Sequence, residues 1–456
     1  MRVELDKPLS SSEIVTALDG FTRVPIEDRP VLAVTTDTRE MRSGDLFFAL
    51  SGEKYDGESF CAEAAEAGCL CVSTSFRNGI LVKSTKDALL KLTALYRKRL
   101  TNLKKTIAIT GSVGKTTTKE FLRIMLEKDF SVHASEGNYN NYIGLAHTVL
   151  SCPQSTEILI AEIGMNHQGE IAECSKALTP DVAVITAIGT AHIGNLGSRE
   201  MIAKAKSEIQ DGLAGDGILL IPYGEELLNP TAIHKTVSTS DEAADLALIP
   251  LEASREGTRF ILKNRNEAYL SSTGIFGEGN LRALAFSTAA AIECGTRETD
   301  LARNFSLLSQ KNTRQNVFYW QNRCIIDDSY NASFESVIAA FDFMKFYRGR
   351  RCALLGDLLE LGSKTEPIHF RIGAEAVMHG IELLFLHGVY APFIARGAVC
   401  AGMPRERVTI NTDPTDPQKT ANAIERLTID GDILLIKASH NSGLSAVIEH
   451  LNEKKD

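Results

Sequence analysis

The chain lacks several features that mark common classes of protein. It has no apolar run of the roughly 18–20 residues that cross a bilayer, and its first residues, MRVELDKPLS, lack the apolar core of a signal peptide. Its nine cysteines are scattered, without the spacing of a disulfide framework or a zinc motif. We therefore expect a cytoplasmic protein without membrane insertion, in which the cysteines serve mainly as small core residues.

An excess of basic residues is also missing. Lys and Arg number 49 and Asp and Glu number 58, which gives a net charge of −9. A dedicated nucleic-acid-binding protein usually has the opposite balance, so we expect no nucleic-acid partner. No internal repeat or low-complexity linker is present in the 456 residues. That length is typical of two to four folded domains of roughly 100–200 residues each.

Strand-like and helix-like segments divide the chain into three blocks. In residues 1–82, short strands surround an Ala-rich helix predicted from Glu58 to Ala67. In residues 83–308, apolar β-branched runs alternate with helices, one of them predicted over 198–213, as in a parallel sheet covered on both faces. A polar stretch at 246–269 is expected to form an antiparallel edge. Residues 309–456 repeat the alternation, with ligand loops expected at strand carboxyl ends.

A glycine-containing segment of the second block carries the strongest chemical signal. The strand-like run TIAIT leads through GSVGKTTT into an amphipathic helix. Glycines let backbone N–H groups approach phosphate oxygens, and a helix N-terminus attracts anions. Lys115 is expected to neutralise the β- and γ-phosphates of ATP, and the Thr116 hydroxyl to bind Mg²⁺. The predicted loop comprises Gly111, Ser112, Val113, Gly114, Lys115, Thr116 and Thr117.

The spacing of this loop is unusual. The common phosphate loop places four residues between its first glycine and the Gly-Lys pair, whereas only Ser112 and Val113 separate Gly111 from Gly114. The segment TGSVGKTTTKE resembles the shortened loop of the Mur ligases and of their relatives, the folylpolyglutamate and cyanophycin synthetases. The resemblance implies an ATP-dependent enzyme that forms amide bonds.

The resemblance also implies a fold. The expectation is an α/β protein of three domains: an N-terminal UDP-binding α/β domain at 1–82, a central P-loop ATPase-like parallel-sheet domain at 83–308, and a C-terminal Rossmann-like domain at 309–456. We expect a monomer.

Further segments are similar to the metal-binding segments of this family. Glu162 ends an apolar run in AEIGMNHQGEI, where a carboxylate can hold a hard cation. His192 follows another buried-type strand, where relatives hold a second metal. Lys206, in GSREMIAKAKSEI, matches a lysine that CO₂ carbamylates in Mur ligases, which makes it an anionic metal ligand. The resemblance therefore implies two Mg²⁺ ions, with Thr116, Glu162, His192 and carbamylated Lys206 as ligands.

Other matches concern the nucleotide. Asn280, in GEGNLRALAFSTAAA, is placed to hydrogen-bond the adenine edge. Arg314 precedes the segment DDSYNA, as in Mur ligases, and is expected to reach the γ-phosphate and the developing acyl phosphate. Within that segment the resemblance assigns the ribose and adenine to Asp328 and Tyr330, and a phosphate contact to Asn331. The residues expected to be catalytic are Lys115, Lys206, Arg314 and His192.

The substrate expectation rests on three segments. DDSYNA, LLGDLLELG and TTDTREMRSGDLFFALSGEKYDGESF favour a ligase that adds D-alanyl-D-alanine to UDP-N-acetylmuramoyl-tripeptide, a step of peptidoglycan synthesis in cell-wall formation. The residues that the resemblance places at the substrates are Thr36, Asp37, Thr38 and Arg39 for the uridine diphosphate, and Asn138, Asn140, Asn141, Lys437 and Ser439 for the remainder.

Some positions depart from the family pattern, and several alternatives stay open. The departures are Ala187, Gly279, Ala283, Ser333, Phe334, Ala438 and His440. One alternative is another amide ligase of the superfamily, either tripeptide-forming or folylpolyglutamate synthetase-like. The other is a P-loop NTPase without ligase activity. The third residue of the tripeptide, diaminopimelate or lysine, is also left open by the sequence.

Overall fold

The structure is a computed structural model that describes residues 1–52, 55–265, 267–313, 315–439, 442 and 444–453. The chain folds into three α/β domains, each built on one sheet. Eight of the nine cysteines are buried as free thiols, and Cys400 is exposed. In the described ranges, no helix combines the length and the apolar character needed to cross a bilayer.

The N-terminal domain contains β1 (Arg2–Ser10), α1 (Ser11–Ala17), β2 (Phe21–Thr22), β3 (Pro30–Thr35), β4 (Leu46–Phe48), α2 (Cys61–Glu66), β5 (Leu70–Ser73), β6 (Ile80–Leu81) and α3 (Thr85–Arg99). The six strands lie in the order β1-β3-β4-β5-β6-β2, and the two outermost pairs are antiparallel. The helix predicted to begin at Glu58 begins at Cys61 in the structure, because Gly57–Phe60 form a 3₁₀ turn. Asp56 caps that turn by accepting the N–H of Glu58 at 3.1 Å.

The central domain contains β7 (Lys105–Thr110), α4 (Lys115–Leu126), β8 (Val132–Ala134), α5 (Tyr142–Leu150), β9 (Ile158–Glu162), α6 (Glu170–Leu178), β10 (Val182–Ile185), α7 (Ile193–Leu196), α8 (Arg199–Ser207), β11 (Ile218–Pro222), β12 (His234–Ser238), β13 (Leu246–Ser254), β14 (Gly257–Asn264), β15 (Glu267–Thr273), α9 (Glu278–Glu293) and α10 (Glu298–Phe305). Nine strands form one sheet in the order β15-β14-β13-β12-β11-β10-β7-β9-β8. The predicted antiparallel edge is confirmed, because β13, β14 and β15 pair antiparallel.

Helix α4 shows how sequence periodicity places the site. Its buried apolar residues recur three and four positions apart on one face: Phe121, Leu122, Met125 and Leu126, with Thr118 and Lys119 also buried. This face packs into the same core as α9, where the Ser287 hydroxyl also donates to the Thr118 carbonyl at 3.0 Å. The packing holds the N-terminus of α4 at the end of β7.

One predicted helix is shorter than expected. Over 198–213, α8 ends at Ser207 and Glu208–Gly212 continue as a 3₁₀ turn. The Glu208 carboxylate accepts the N–H of Gly169 at 2.8 Å and so caps the start of α6. A 3₁₀ turn commonly tightens the end of an α-helix. Because Glu208 of this turn contacts Gly169 of another element, periodicity alone does not indicate that α8 ends at Ser207.

The C-terminal domain contains β16 (Asn316–Trp320), β17 (Arg323–Asp327), α11 (Phe334–Met344), β18 (Arg351–Gly356), α12 (Thr365–Met378), β19 (Leu383–His387), α13 (Ala391–Cys400), β20 (Val408–Asn411), α14 (Pro417–Leu427), β21 (Ile433–Lys437) and α15 (Ser445–Glu453). Its strand order is β16-β17-β21-β18-β19-β20, parallel except at β16. Helix α11 stacks Phe343 against Phe276 of the central domain, with ring centroids 5.0 Å apart. The two domains therefore meet through an aromatic contact.

Candidate active site

The site lies at β7, where the strand order of the central sheet reverses, since later strands are added on both sides of it. β7 has β9 on one side and β10 on the other, and all three strands are parallel. Their carboxyl ends therefore meet at one edge of the sheet. In open α/β sheets this switch point is the usual place for a ligand. The chain that leaves β7 there is the short glycine loop at 111–114.

Gly111 and Gly114 adopt conformations that other residues rarely reach. Their φ angles are +148° and +85°. A Cβ on Gly111 would lie 1.9 Å from Oγ1 of Thr186, which follows β10. The loop can therefore pass this close to β10 only with glycine at position 111.

The loop after β10 holds the glycine loop in place by hydrogen bonds. The Thr186 hydroxyl donates to the Val113 carbonyl at 2.5 Å. Ser112 accepts the N–H of Gly189 through its hydroxyl at 2.9 Å, and its own N–H donates to the Ala187 carbonyl at 2.9 Å. Ala187, one of the departures from the family pattern, thus supports the loop with its backbone.

Replacement of Gly111 by alanine is expected to destabilise the fold by about 1–3 kcal/mol, because the added methyl group overpacks against Thr186. Gly137→Ala is the matched control, since Gly137 has a φ of +49° but nothing within 4 Å of its Cβ position. Denaturant unfolding of both variants measures the difference. Equal losses in the two variants would contradict the steric explanation.

Oxygen ligands suited to a hard cation converge beside the loop. The Thr116 hydroxyl donates to Oε2 of Glu162 at 2.6 Å, and Asn140 Nδ2 donates to Oε1 at 3.1 Å. Glu162 is buried, with 3% of its surface exposed. Lys115 lies next to Thr116, and its Nζ donates to the Gly111 carbonyl at 2.8 Å. The structure thus brings together Lys115, Thr116, Glu162 and Asn140.

Lys206 lies near enough to Lys115 for the charges of the two side chains to interact. It is fully buried on α8, and burial together with the nearby charge of Lys115 lowers its pKa well below the ordinary value. Within the described residues, no carboxylate forms an ion pair with it. Its amine is therefore favoured in the neutral form, which is the form that reacts with CO₂.

The donor set fits magnesium bound together with a nucleotide. Among the described residues, no three His, Cys, Asp or Glu side chains come together as a metal-binding group. Mg²⁺ does not need such a group, because it is commonly held by one or two carboxylates, phosphate oxygens and water. The Thr116 hydroxyl and the Glu162 carboxylate offer the oxygen ligands for that arrangement.

His192 lies on the loop after β10 and meets the C-terminal domain. Its Nδ1 is 2.6 Å from Oε2 of Glu360, and the imidazole lowers the pKa of that carboxyl. Nearby, the Thr190 hydroxyl donates to Oε2 of Glu335 at 3.1 Å. Two carboxylates of the C-terminal domain therefore reach the loop that supports the phosphate loop.

Asn280 lies in a different part of the domain interface. It is buried in the first turn of α9. Its amide donates to the Phe276 carbonyl at 3.0 Å and to Oε1 of Gln315 at 3.1 Å. Arg314, the neighbour of Gln315, lies outside the described residues.

Asp328 and Lys437, expected to serve different ligands, are partners in the structure. The buried Lys437 ammonium donates to Oδ2 of Asp328 at 2.8 Å and to the carbonyls of Asp328 and Asn331. Ser439 is also buried, and its hydroxyl accepts the N–H of Leu359 at 3.1 Å. Tyr330 and Asn331 are exposed. Lys437 therefore shapes the segment that carries Tyr330 and Asn331.

The N-terminal candidates follow β3. Thr36, Asp37 and Thr38 are half-buried and Arg39 is exposed. The Arg39 guanidinium donates twice to the Asp37 carboxylate, at 2.9 and 2.6 Å, and holds its pKa far below the ordinary value. A guanidinium at a strand end can also bind a diphosphate.

The three candidate asparagines at 138–141 have different surroundings in the structure. Asn140 reaches Glu162, Asn138 is exposed, and Asn141 caps α5 by accepting the N–H of Gly144 at 2.9 Å. Sequence patterns did not point to Thr186 or Glu335 as neighbours of the site, and they placed Glu360 in the family-like segment LLGDLLELG without indicating its contact with His192. Their common signal is a position just after a strand or at a helix start.

Three family models together match most of the chain. They are the Mur ligase family catalytic domain at residues 30–97, the Mur ligase middle domain at 109–291, and the Mur ligase glutamate ligase domain at 313–440. The UDP-N-acetylmuramoyl-tripeptide--D-alanyl-D-alanine ligase of Bacillus subtilis is 36% identical over 440 residues, which cover 94% of each chain.

Solved structures show the same likeness over nearly the whole length. A crystal structure of MurF from Acinetobacter baumannii superimposes with a TM-score of 0.88 at 26% identity and covers 99% of this chain and 100% of that chain. The MurF ligase of Thermotoga maritima, crystallised in complex with ADP, gives a TM-score of 0.79 at 27% identity and covers 92% of this chain and 97% of that chain. From its fold, its phosphate-loop geometry and these matches, the chain belongs to the Mur ligase family.

Proposed function

We propose that this chain is an ATP-dependent, ADP-forming ligase that adds D-alanyl-D-alanine to UDP-N-acetylmuramoyl-tripeptide in peptidoglycan synthesis. The observation that carries the chemistry is the convergence of Lys115, Thr116 and Glu162 at the short phosphate loop. The substrates are those in the name of the Bacillus subtilis relative, whose match extends through all three domains.

The reaction must overcome repulsion between two anions. The terminal carboxylate of the tripeptide attacks the γ-phosphorus of ATP, and the bond from that phosphorus to the bridging oxygen breaks, which releases ADP. The amine of D-alanyl-D-alanine then attacks the acyl phosphate and releases inorganic phosphate and a proton. Lys115 offsets the triphosphate charge, and bound Mg²⁺ supplies further charge neutralisation at the transferring group.

Lys206 is proposed to act as a carbamate. Its neutral amine would attack CO₂, forming an N–C bond and losing a proton, so that the side chain ends in an anionic carbamate. The buried position and the lowered pKa support this step, because both favour the neutral amine. A carbamate on Lys206 would also be attracted by the nearby half-buried Lys115, whereas an ammonium there would be repelled by it.

The remaining candidates divide between the nucleotide and the substrates. We propose that Asn280, Asp328, Tyr330 and Asn331 hold the base, the ribose and the phosphates, together with Arg314. The substrate set is proposed to comprise Thr36, Asp37, Thr38 and Arg39 at the uridine diphosphate, with Asn138, Asn140, Asn141, Lys437 and Ser439 at the remainder. Because these residues come from three domains, closure of the domains would complete the site and exclude water.

Dependence of ADP release on both substrates tests the function. With ATP and Mg²⁺, we expect release only when UDP-N-acetylmuramoyl-tripeptide and D-alanyl-D-alanine are both present, and mass spectrometry should find the pentapeptide product. Diaminopimelate- and lysine-containing tripeptides are tested in parallel to identify the third residue.

Each alternative gives a different result in the same assay. A P-loop NTPase without ligase activity would release ADP at the same rate with no acceptor. A tripeptide-forming ligase would require the dipeptide precursor and a free amino acid. A folylpolyglutamate synthetase-like enzyme would require a folate and glutamate. Any of these outcomes would overturn the proposed substrate pair. The elution volume of the chain in size-exclusion chromatography tests the expectation of a monomer.

A further inference from the structure

The contact between His192 and Glu360 joins two domains. His192 lies on the loop after β10, and Glu360 lies on the loop after β18. The distance of 2.6 Å between Nδ1 and Oε2 is that of a charge-assisted contact, although the orientation at Nδ1 falls outside hydrogen-bond geometry. A carboxylate oxygen this close favours a proton on Nδ1, because an unprotonated ring nitrogen would turn its lone pair toward the anion.

Backbone contacts hold the same two loops together. The Gly194 N–H donates to the Glu360 carbonyl at 2.9 Å. A Cβ on Gly194 would lie 2.5 Å from the backbone nitrogen of Gly362, so the loops touch without intervening side chains. His192 and Glu360 both have positive φ, at +64° and +63°. Positive φ is uncommon in residues other than glycine and persists where surrounding contacts enforce it.

The loop that carries Glu360 is also tied to the end of β21. Ser439 accepts the N–H of Leu359 through its hydroxyl, and its own N–H donates to the Asp357 carbonyl at 3.2 Å. The Asp357 carboxylate in turn accepts the N–H groups of Val389 and Tyr390, both at 2.9 Å. Glu360 is therefore presented by a loop whose preceding residues, Asp357 and Leu359, are held by the C-terminal domain.

We propose that Glu360 is a positioning residue for His192. By holding Nδ1 of the imidazole, its carboxylate selects the tautomer that leaves the Nε2 lone pair for a divalent cation. Carboxylates commonly orient metal-binding histidines in this way. Because Glu360 belongs to the C-terminal domain, the metal ligand is oriented only when the two domains are together. This inference rests on the proposed function and on His192 being a metal ligand in it, as the resemblance to Mur ligases implies.

Energetics favour orientation over stabilisation as the role of Glu360. Half of its side-chain surface is exposed, and solvent-exposed electrostatic contacts of this kind stabilise a fold only slightly. Removing the carboxylate should therefore change metal binding more than thermal stability. Glu335 supplies the matched control, since it also crosses the interface but contacts the hydroxyl of Thr190 rather than an imidazole.

Binding of Mn²⁺ to the full chain in the presence of ADP and bicarbonate tests the proposal, with free Mn²⁺ measured by EPR. His192→Ala identifies the binding step that depends on the imidazole. Glu360→Ala is expected to weaken that step by about tenfold, Glu360→Gln to weaken it less because an acceptor oxygen remains, and Glu335→Gln to behave like the wild type. In turnover, kcat of Glu360→Ala should fall while KM for the UDP-tripeptide and the melting temperature stay near wild-type values.

Two results would overturn the positioning role. One is wild-type Mn²⁺ affinity in Glu360→Ala alongside a loss in His192→Ala. The other is an equal loss in Glu335→Gln, which would indicate a general effect on domain contact. Wild-type Mn²⁺ affinity in His192→Ala would remove the metal assignment on which the inference rests. The substrate dependence of ADP release by the wild-type chain tests the ligase function separately.

Discussion

Replacement of Lys115 by alanine is expected to lower kcat by about a hundredfold or more, because it removes a cation that offsets charge on the transferring phosphoryl group. The fold should remain intact. Nζ of Lys115 donates to the Gly111 carbonyl at 2.8 Å at the solvent-accessible start of α4. Alanine also has the highest helix propensity, so the helix start tolerates it.

The measurement is the rate of ADP release with both substrates at saturation, together with circular dichroism of the variant. Lys128→Ala is the matched control, because Lys128 is an exposed lysine just after the same helix. Turnover of Lys115→Ala at the wild-type rate would exclude the phosphate role. A loss of the folded spectrum would instead point to a structural role.

Replacement of Lys206 by alanine is expected to reduce turnover to a similar extent, because it removes the proposed anionic ligand. The buried space that the side chain leaves could admit a small anion such as acetate or formate, so partial rescue by these carboxylates is expected. The lowered pKa of Lys206 implies that its amine is neutral, and therefore reactive with CO₂, at pH values where an exposed lysine is protonated.

Labelling with ¹³C-bicarbonate tests the modification directly. A carbamate resonance is expected in the NMR spectrum of the wild type and of Lys204→Ala, and no such resonance in Lys206→Ala. Lys204 is a suitable control because it is exposed on the same helix, two residues away. A wild-type rate in Lys206→Ala would refute the catalytic role, and an unlabelled active wild type would refute the carbamate.

Local sequence patterns predicted the parts of the site that depend on neighbouring residues. The strand, the glycine loop and the amphipathic face of α4 follow from hydrophobic periodicity and from glycine at positive φ. The antiparallel edge at β13–β15 was predicted correctly from its polar, strand-like pattern. The end of α8 was not predicted correctly. The helix gives way to a 3₁₀ turn whose Glu208 caps α6 by a contact with Gly169, 39 positions away in the sequence.

Contacts between residues far apart in the chain, within one domain or between two, could not be predicted in the same way. Lys437 and Asp328 were assigned to different ligands, yet they pair across 109 positions of sequence because β17 and β21 are neighbours in the sheet. The pairing of Glu360 with His192 depends on how two whole domains pack. Neither spacing nor residue type indicates such pairs, because nothing local relates the two partners.

By itself, the sequence determined the α/β class, the phosphate loop with Lys115 and Thr116, and the resemblance to Mur ligases, because each of these depends on residues close together in the chain. Only the tertiary structure decided that Glu162 meets Thr116 at 2.6 Å, that Lys206 is buried near Lys115, and that Glu360 reaches His192. The physical reason is that burial and charge at these groups arise from strand order and domain packing, which bring together side chains that are distant in the sequence.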